Sequence, residues 1–440
     1  MNRTVTYILT AFTVLYATSL VAQEADSITA VKRDTLSATR LDVESFITID
    51  TISCIGFEAD TISFNGADWS PLFQSMEQLN DTAQGEKKIV SVIHLGDSHV
   101  QAGFLTEALR IPMQKAWGNA GRGLITPLKI TRTNEPSDYR FTTPDKWQYN
   151  RCIIGKEFSS RVGVGGILIE PVTESINLTI ETMSRHGEDV KFNRLRLFHA
   201  PTDSFPQLLL DNEPDGLAVH SPAAGETCYS WDTLTNTISL KGKNSLEPAN
   251  AAIYGAALEN GLNGIIVHTI GNNSATYDCY NRTEEYGKKL ASLAPQLVII
   301  SLGTNESVSS VFNRERLEQQ IDCLIQSIKK ESPKTLFLLT TPADNKLRKR
   351  RRNKRGRRVT YYVENPNLPL VTETIKDYGA KHNIAVWDWY TIAGGKGAYK
   401  TWIKEEGMRN DHIHYTPKGY TVQGNLLFQS ILNAYEQHTR

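Results

Sequence analysis

The chain is short of the features that would fix its class most cheaply. Five cysteines in 440 residues (Cys54, Cys152, Cys228, Cys279 and Cys323) are too few for a disulfide scaffold, and none has the spacing of a metal-ligand set. If a bridge forms, Cys152 with Cys228 is the expected pair, because both fall in one β-rich stretch. Lysine plus arginine and aspartate plus glutamate number 48 each, so the formal net charge is zero and no global field steers an anionic partner. Any electrostatic argument must be local. No segment offers eighteen unbroken apolar residues, which argues against an ordinary membrane-spanning helix. The nearest approach, Tyr7 to Ala22, is interrupted by Thr10, Thr13, Thr18 and Ser19. It follows Arg3 and ends in Ser19-Leu20-Val21-Ala22 before Gln23, the parts of a secretory signal peptide over residues 1–23. The expectation is an exported protein, periplasmic or extracellular; a retained anchor is the competing reading.

What is present is a rhythm. Residues 24–75 are polar and aperiodic and read as an N-terminal arm. Lys87 to Leu95 is a β-branched run of the kind buried on both faces of a parallel sheet, and apolar spacing over Val100 to Trp117 predicts a helix. Strand and helix alternate again late in the chain: Leu297–Leu302, Arg314–Lys330, Thr335–Thr340, Leu370–His382, Ile384–Trp387 and a last helix opened by Pro417. Such alternation predicts a parallel sheet covered on both faces. Residues 126–261 break the pattern with short strands at 166–170, 176–181, 193–199 and 237–240, separated by turn signals. They predict a β-sandwich inserted into an α/β domain made of residues 76–125 and 262–440.

Three short blocks carry chemistry. Gly96-Asp97-Ser98-His99 places a serine between a buried strand and a helix, at the carboxyl edge where α/β sheets build their sites. The Ser98 N–H then lies at a helix N-terminus, which favours a developing oxyanion. A plain N-cap is the bland alternative. Asp411-His412-Ile413-His414 puts a carboxylate three residues before a histidine, supplying a general base and the group that orients it. Leu302-Gly303-Thr304-Asn305-Glu306 offers an asparagine amide after another apolar strand. All three should converge on one edge of one sheet.

These blocks resemble the SGNH/GDSL hydrolase superfamily: G-D-S after the first strand, G-T-N-E after a middle one and D-x-x-H before the last helix. The resemblance implies a flavodoxin-like three-layer α/β/α domain with Ser98 as nucleophile and His414 and Asp411 completing its triad. It also implies an oxyanion hole that includes Ser98 and Asn305, and no metal or cofactor. The stretches GDSHVQ (96–101), Trp387 to Tyr390 and DHIHYTPKGY (411–420) are similar to those of exported bacterial O-acetylesterases acting on peptidoglycan or other polysaccharides. One block departs. Where the family presents G-x-N-G-A, this chain has Gly271-Asn272-Asn273-Ser274-Ala275. The Ser274 N–H is the expected second oxyanion donor with Gly271 in reserve, and a positive φ at Ser274 would strain it.

Asp97, His99, Trp389, Arg350 and Arg351 are the candidate substrate contacts. The last two belong to residues 346–358, which hold ten Lys or Arg. This block should leave the catalytic edge as a loop after Thr341-Pro342. It is either a solvated, self-repelling loop or a site for an anionic cell-wall polymer; nucleic acid is not the expected partner. His94 and His268 sit in apolar runs and read as core histidines. The leading expectation is thus a serine esterase acting on an acetylated polysaccharide. A lipase or thioesterase on the same triad, acetyl transfer in place of hydrolysis, and a noncatalytic glycan-binding protein are the alternatives, and the oligomeric state is left open.

Overall fold

In the computed structural model, which describes residues 52–80, 87–155, 161–211, 216–221, 224–244 and 248–439, the first apolar run becomes the strand Ile89–Gly96. The segment expected as a signal peptide, 1–23, and residues 24–51 of the expected arm lie outside the described residues. Ile89–Gly96 pairs in parallel with Gly264–Gly271 on one side and Leu297–Ser301 on the other. Both faces are covered, which is why Val90, Val92, Ile93 and Leu95 are all buried.

Leu336–Thr340 and Ala385–Trp387 extend the sheet in parallel. Numbering the five parallel strands along the chain, their order across the sheet is 2-1-3-4-5, the flavodoxin-like arrangement, with its switch point beside the first strand. A sixth strand, Ile62–Ser63, closes the edge antiparallel to Ala385–Trp387, so the sheet is mixed rather than purely parallel. That edge comes from the stretch read as an arm; two residues are too few to show a period.

The helices follow the apolar spacing. Arg314–Glu331 buries Leu317, Ile321, Leu324, Ile325 and Ile328 along one stripe, and Asn313 Oδ1 caps it by accepting from Arg316 N at 2.6 Å. The helix expected over Val100 to Trp117 is two, Ser98–Gln101 and Phe104–Trp117. Gly103, at φ +85°, makes the break. No helix among the described residues is long and apolar enough to cross a membrane.

Residues 123–259 form two antiparallel sheets. The larger runs Leu217–Ser221, Glu226–Thr235, Phe192–His199, Ile253–Glu259, Ile167–Pro171 and Trp147–Arg151, with Gly123–Ile125 beside Ile253–Glu259. The smaller runs Tyr139–Thr142, Ser175–Thr182, Thr237–Lys243 and Leu209–Leu210. Alternation along the strands sorts their side chains. Ile167, Ile169, Leu195, Leu197, Ala256 and Leu258 join Ile176, Leu178, Ile180, Ile238 and Leu240 of the smaller sheet in one apolar cluster. Leu168, Phe198 and Ala257 turn the other way and pack into the core that contains Ile93, Leu95 and Ile270 of the main sheet. The central strands of the larger sheet are therefore buried on both faces and shared between two cores, while its edge strand Leu217–Ser221 is exposed.

The expected Cys152–Cys228 bridge is not formed, and all five cysteines are free. Cys152 lies in the shared core, whereas Cys228 Sγ accepts from Arg194 Nε at 3.2 Å on the larger sheet.

A buried ionic cluster ties helix Phe104–Trp117 to the β-rich region. Asp138 Oδ2 lies 3.0 Å from Arg110 Nη2 and 2.6 Å from Arg122 Nε, with all three side chains at most 4% exposed. Burial alone would raise the Asp138 pKa, but the two guanidiniums outweigh it and hold the carboxyl below its ordinary value. Removing one partner of such a cluster leaves uncompensated buried charge. Asp138→Ala is expected to cost about 3–5 kcal/mol in urea unfolding; a loss under about 1 kcal/mol would show that the cluster does not hold the regions together.

Candidate active site

Strand Ile89–Gly96 delivers the serine. Asp97 caps the short helix Ser98–Gln101, its Oδ1 accepting from His99 N at 2.9 Å. The helix crosses so close to the neighbouring strand that a Cβ at Gly271 would lie 2.2 Å from Gln101 N. Only glycine permits that approach. Ser98 thus stands at the carboxyl end of the first parallel strand, beside the switch point.

The chain end brings the other two groups. His414 Nε2 is 3.0 Å from Ser98 Oγ, and His414 Nδ1 is 2.8 Å from Asp411 Oδ2. Asp411 Oδ1 accepts from Ile413 N at 3.0 Å and His414 N at 2.9 Å, so the loop is wrapped around its own carboxylate. His412, at φ +59°, makes the tight return. Burial tends to raise the Asp411 pKa, but the His414 ring and the two backbone N–H groups more than offset it and hold the carboxylate well below the usual range. An ionised Asp411 fixes Nδ1–H on the imidazole and leaves Nε2 to accept from the serine.

The oxyanion candidates are placed unevenly. Ser274 adopts φ +68°, the conformation that strains a residue with a Cβ. It is exposed on a turn pinned by Asn273 N, which donates to Gln101 Oε1 at 2.6 Å. Gly271 lies inside its strand, and its demand is the packing contact already described. Asn305 is brought to the same edge, but its Nδ2 donates to Asp97 Oδ2 at 3.1 Å and Ala275 O at 2.9 Å. Both amide hydrogens are therefore engaged within the protein. An open cleft of about 530 Å³ lies on the Asn305 side, lined among others by Thr276, Glu306, Val311, Phe312 and Arg316.

Two expected substrate contacts turn out to be internal. Asp97 is 1% exposed; burial pushes its pKa up to about 7, against opposing help from the His99 N–H and His414. It is a cap and a partner of Asn305, not a surface group. Trp389 is 1% exposed and stacks on Trp387, ring centroids 5.1 Å apart. Trp387 and Trp402 are likewise buried, Nε1 of the first donating to Ser430 Oγ at 3.1 Å and that of the second to Ala393 O at 2.8 Å. His99 packs 5.4 Å from the His414 ring, with Nδ1 3.1 Å from Tyr420 Oη. Burial and the nearby His414 push its pKa down to about 3, which keeps it neutral. Arg350 and Arg351 lie not on a loop but in an antiparallel hairpin, Lys346–Arg352 with Arg358–Glu364. His94 and His268 are core groups as expected: His94 bonds Thr106 and Ser301, and His268 Nδ1 accepts from Leu124 N.

Several supports carry no signal in the sequence. Gln101 Nε2 donates to Thr133 Oγ1 at 3.0 Å and Asn134 O at 2.7 Å, while Asn273 Nδ2 reaches Thr133 Oγ1 and Asn134 Oδ1. Asn272 Nδ2 donates to Gly165 O at 3.0 Å. Two loops of the β-rich region thus brace the Ser274 turn. Glu306, raised to about 7 by burial, accepts from Tyr277 N and Gly303 N and ties the Asn305 turn to the same segment.

A serine backed by histidine and aspartate at the carboxyl edge of a flavodoxin-like sheet has the chemistry of an ester hydrolase. Comparison with known proteins gives the same class. Residues 234–422 match the family model described as GDSL-like Lipase/Acylhydrolase family. That match makes residues 234–422 similar to the GDSL-like ester hydrolases, the serine hydrolase class that the site geometry also indicates. The matched segment contains Ser274, Asn305, Asp411 and His414 and leaves Ser98 outside it. Among solved structures, a peptidoglycan O-acetylesterase shares the fold at TM-score 0.66 and 20% identity, covering 86% of this chain and 99% of that one. A lipase/acylhydrolase from Enterococcus faecalis aligns at 22% identity over 40% of this chain and 79% of its own, with TM-score 0.28. A carbohydrate esterase family 3 protein from Talaromyces cellulolyticus aligns at 11% identity over 41% and 76%, with TM-score 0.29. No curated protein sequence matches the chain.

Two substitutions probe the scaffold of the site. The folded Asp97 carboxyl takes its proton at about 7 against an ordinary 3.8, so between those values the folded state binds more protons than the unfolded one. Its contribution to stability is full below about pH 4 and is lost as pH rises through about 7. The melting temperature of Asp97→Asn relative to the parent should therefore rise between about pH 5 and about pH 8; a flat difference would contradict the buried, protonated carboxyl. Ser274→Gly relieves a left-handed serine but loosens the unfolded chain, so stability should hold or gain up to about 1 kcal/mol, with turnover of a small acetyl ester within about twofold. A clear loss of turnover would mean that the Ser274 side chain itself takes part.

Proposed function

We propose that the chain is an exported serine esterase that removes O-acetyl groups from a cell-envelope polysaccharide, with peptidoglycan the favoured polymer. The observation that carries this reading is the continuous line Ser98 Oγ–His414 Nε2, His414 Nδ1–Asp411 Oδ2 at the sheet's switch point. Ser98 and His414 are only half-buried and so are open to an ester presented by a bulky substrate. The fold shared with a peptidoglycan O-acetylesterase over most of both chains supports the choice of polymer. The signal-peptide pattern of residues 1–23 supports export.

In this mechanism Ser98 Oγ attacks the acetyl carbonyl carbon while His414 Nε2 takes its proton. Asp411 balances the imidazolium. The tetrahedral oxyanion is held by the Ser98 and Ser274 N–H groups and by Asn305, which exchanges one of its present acceptors, Asp97 or Ala275, for the oxyanion. Collapse breaks the ester bond, and the sugar hydroxyl departs with the proton from His414. A water, deprotonated by His414, then attacks the acetyl-enzyme and releases acetate, which restores Ser98.

The test is acetate release by the purified protein from O-acetylated peptidoglycan, from acetylated xylan and from a small acetyl ester. Ser98→Ala should lower turnover about 10⁴-fold or more. Asn305→Ala should lower kcat about 100- to 1,000-fold with KM little changed. Turnover that survives in Ser98→Ala would remove the serine mechanism, and activity on xylan alone would move the substrate away from the envelope.

A further inference from the structure

The basic hairpin is a large charged feature that the esterase chemistry leaves unused. Its strands are held in register from Lys346↔Glu364 to Arg352↔Arg358. The turn is closed by Asn353, whose Oδ1 accepts from Arg355 N and Arg357 N at 3.0 Å each. Cross-strand partners share a face, so the residues divide into two sets. One face carries Lys346/Glu364, Arg348/Tyr362, Arg350/Thr360 and Arg352/Arg358. The other carries Leu347/Val363, Lys349/Tyr361 and Arg351/Val359.

The first face is joined to the loop of Asp411 and His414. Lys346 N donates to His412 O at 3.1 Å, and the Tyr362 ring packs on His412 with centroids 4.3 Å apart and planes tilted by 46°. Lys346 is neutralised by Glu364 at 3.3 Å. Beyond it, Arg348, Arg350, Arg352 and Arg358 are exposed and make no ion pair among the described residues. Along the strand the guanidiniums repeat every second residue, about 6.6–6.8 Å, so from Lys346 to Arg352 the row extends about 20 Å from the catalytic loop. On a chain of zero net charge, this is a local field with a direction.

Arg352 Nη1 donates to Gly356 O at 3.1 Å, but no guanidinium of the row meets a carboxylate among the described residues. Such a row adds little to the binding of a neutral glycan and matches carboxylates, which arginine takes in two-pronged hydrogen bonds. A lipid surface fits poorly: Tyr361, on the opposite face, is the one large exposed hydrophobic of the hairpin. We propose that the Arg348–Arg350–Arg352–Arg358 face of the hairpin is a docking rail for carboxylates borne by the acetylated polymer, holding the strand whose ester meets Ser98. This rests on the peptidoglycan reading, whose peptide substituents would supply those carboxylates.

Two full-length double variants with equal loss of charge separate the faces: Arg348→Gln with Arg350→Gln, and Lys349→Gln with Arg351→Gln. Acetate release from O-acetylated peptidoglycan and co-sedimentation with the same sacculi are measured at about 50 and about 200 mM salt. The first pair should raise KM for peptidoglycan roughly tenfold at the lower salt, with kcat unchanged and weaker sedimentation. The second pair should change KM less than about twofold, and neither should alter turnover of a small neutral acetyl ester. Removing the peptide substituents from the sacculi should erase the difference between the pairs. Equal losses in the two pairs, or a difference that persists on stripped glycan, would overturn the rail and leave the esterase reading intact. Tighter wild-type sedimentation with duplex DNA or phosphatidylglycerol vesicles than with sacculi would overturn it as well. A parent protein that cleaves the small ester but releases no acetate from peptidoglycan would instead remove the polymer reading, and the rail with it.

Discussion

The close approach of helix Ser98–Gln101 to the end of strand Gly264–Gly271 is the contact on which the rest of the site depends. At 2.2 Å from a hypothetical Cβ on Gly271 to Gln101 N, there is no room for a side chain. That approach sets the direction in which Ser98 leaves the sheet. It also brings Gln101 within reach of Asn273 N, so that the serine helix and the Ser274 turn are fastened to each other. Across the switch point, Asp97 accepts from both His99 N and Asn305 Nδ2. One capping carboxyl thereby couples the serine turn to the asparagine turn, and its burial raises its pKa to about 7.

The β-rich region is part of this arrangement rather than an appendage. Its larger sheet supplies side chains to two cores, and its loops at Thr133-Asn134 and Gly165 accept from Gln101, Asn273 and Asn272. Asp138, buried against Arg110 and Arg122, joins it to the helix that follows the serine. Such a joint is poor as a source of net stability but demanding in geometry, because each charge must have its partner. The β-rich residues thus fix the position of a turn whose Ser274 is in an unfavourable backbone conformation. Strain of that kind persists only where the surroundings over-determine it.

How legible the molecule was depended on how local each signal is. Asp411 and His414 lie three residues apart, so a single turn suffices to pair them, and Ser98 and Asn305 each follow a buried strand of unambiguous pattern. The aromatic cluster at 387–390 was not legible in the same way. Composition cannot tell an indole that lines a groove from one that fills a core, and Trp389 does the second. Residues 346–358 read as a self-repelling loop because charge alone says so. The facing strand, with Val359, Tyr361, Tyr362 and Val363, supplies the pairing that makes a hairpin of it.

By itself the sequence determined the α/β alternation, the strand ends at which Ser98 and Asn305 stand and the aspartate–histidine spacing, because periodicity and short-range geometry are written in consecutive residues. Only the tertiary structure decided that Gln101, Thr133, Asn134 and Asn273 form one brace, across separations of up to 172 residues. It alone decided that Asn305 is held by Asp97, that no disulfide forms, and that one face of the basic hairpin adjoins His412. Those contacts depend on which loops the folded sheets bring together, and no pattern in consecutive residues encodes that.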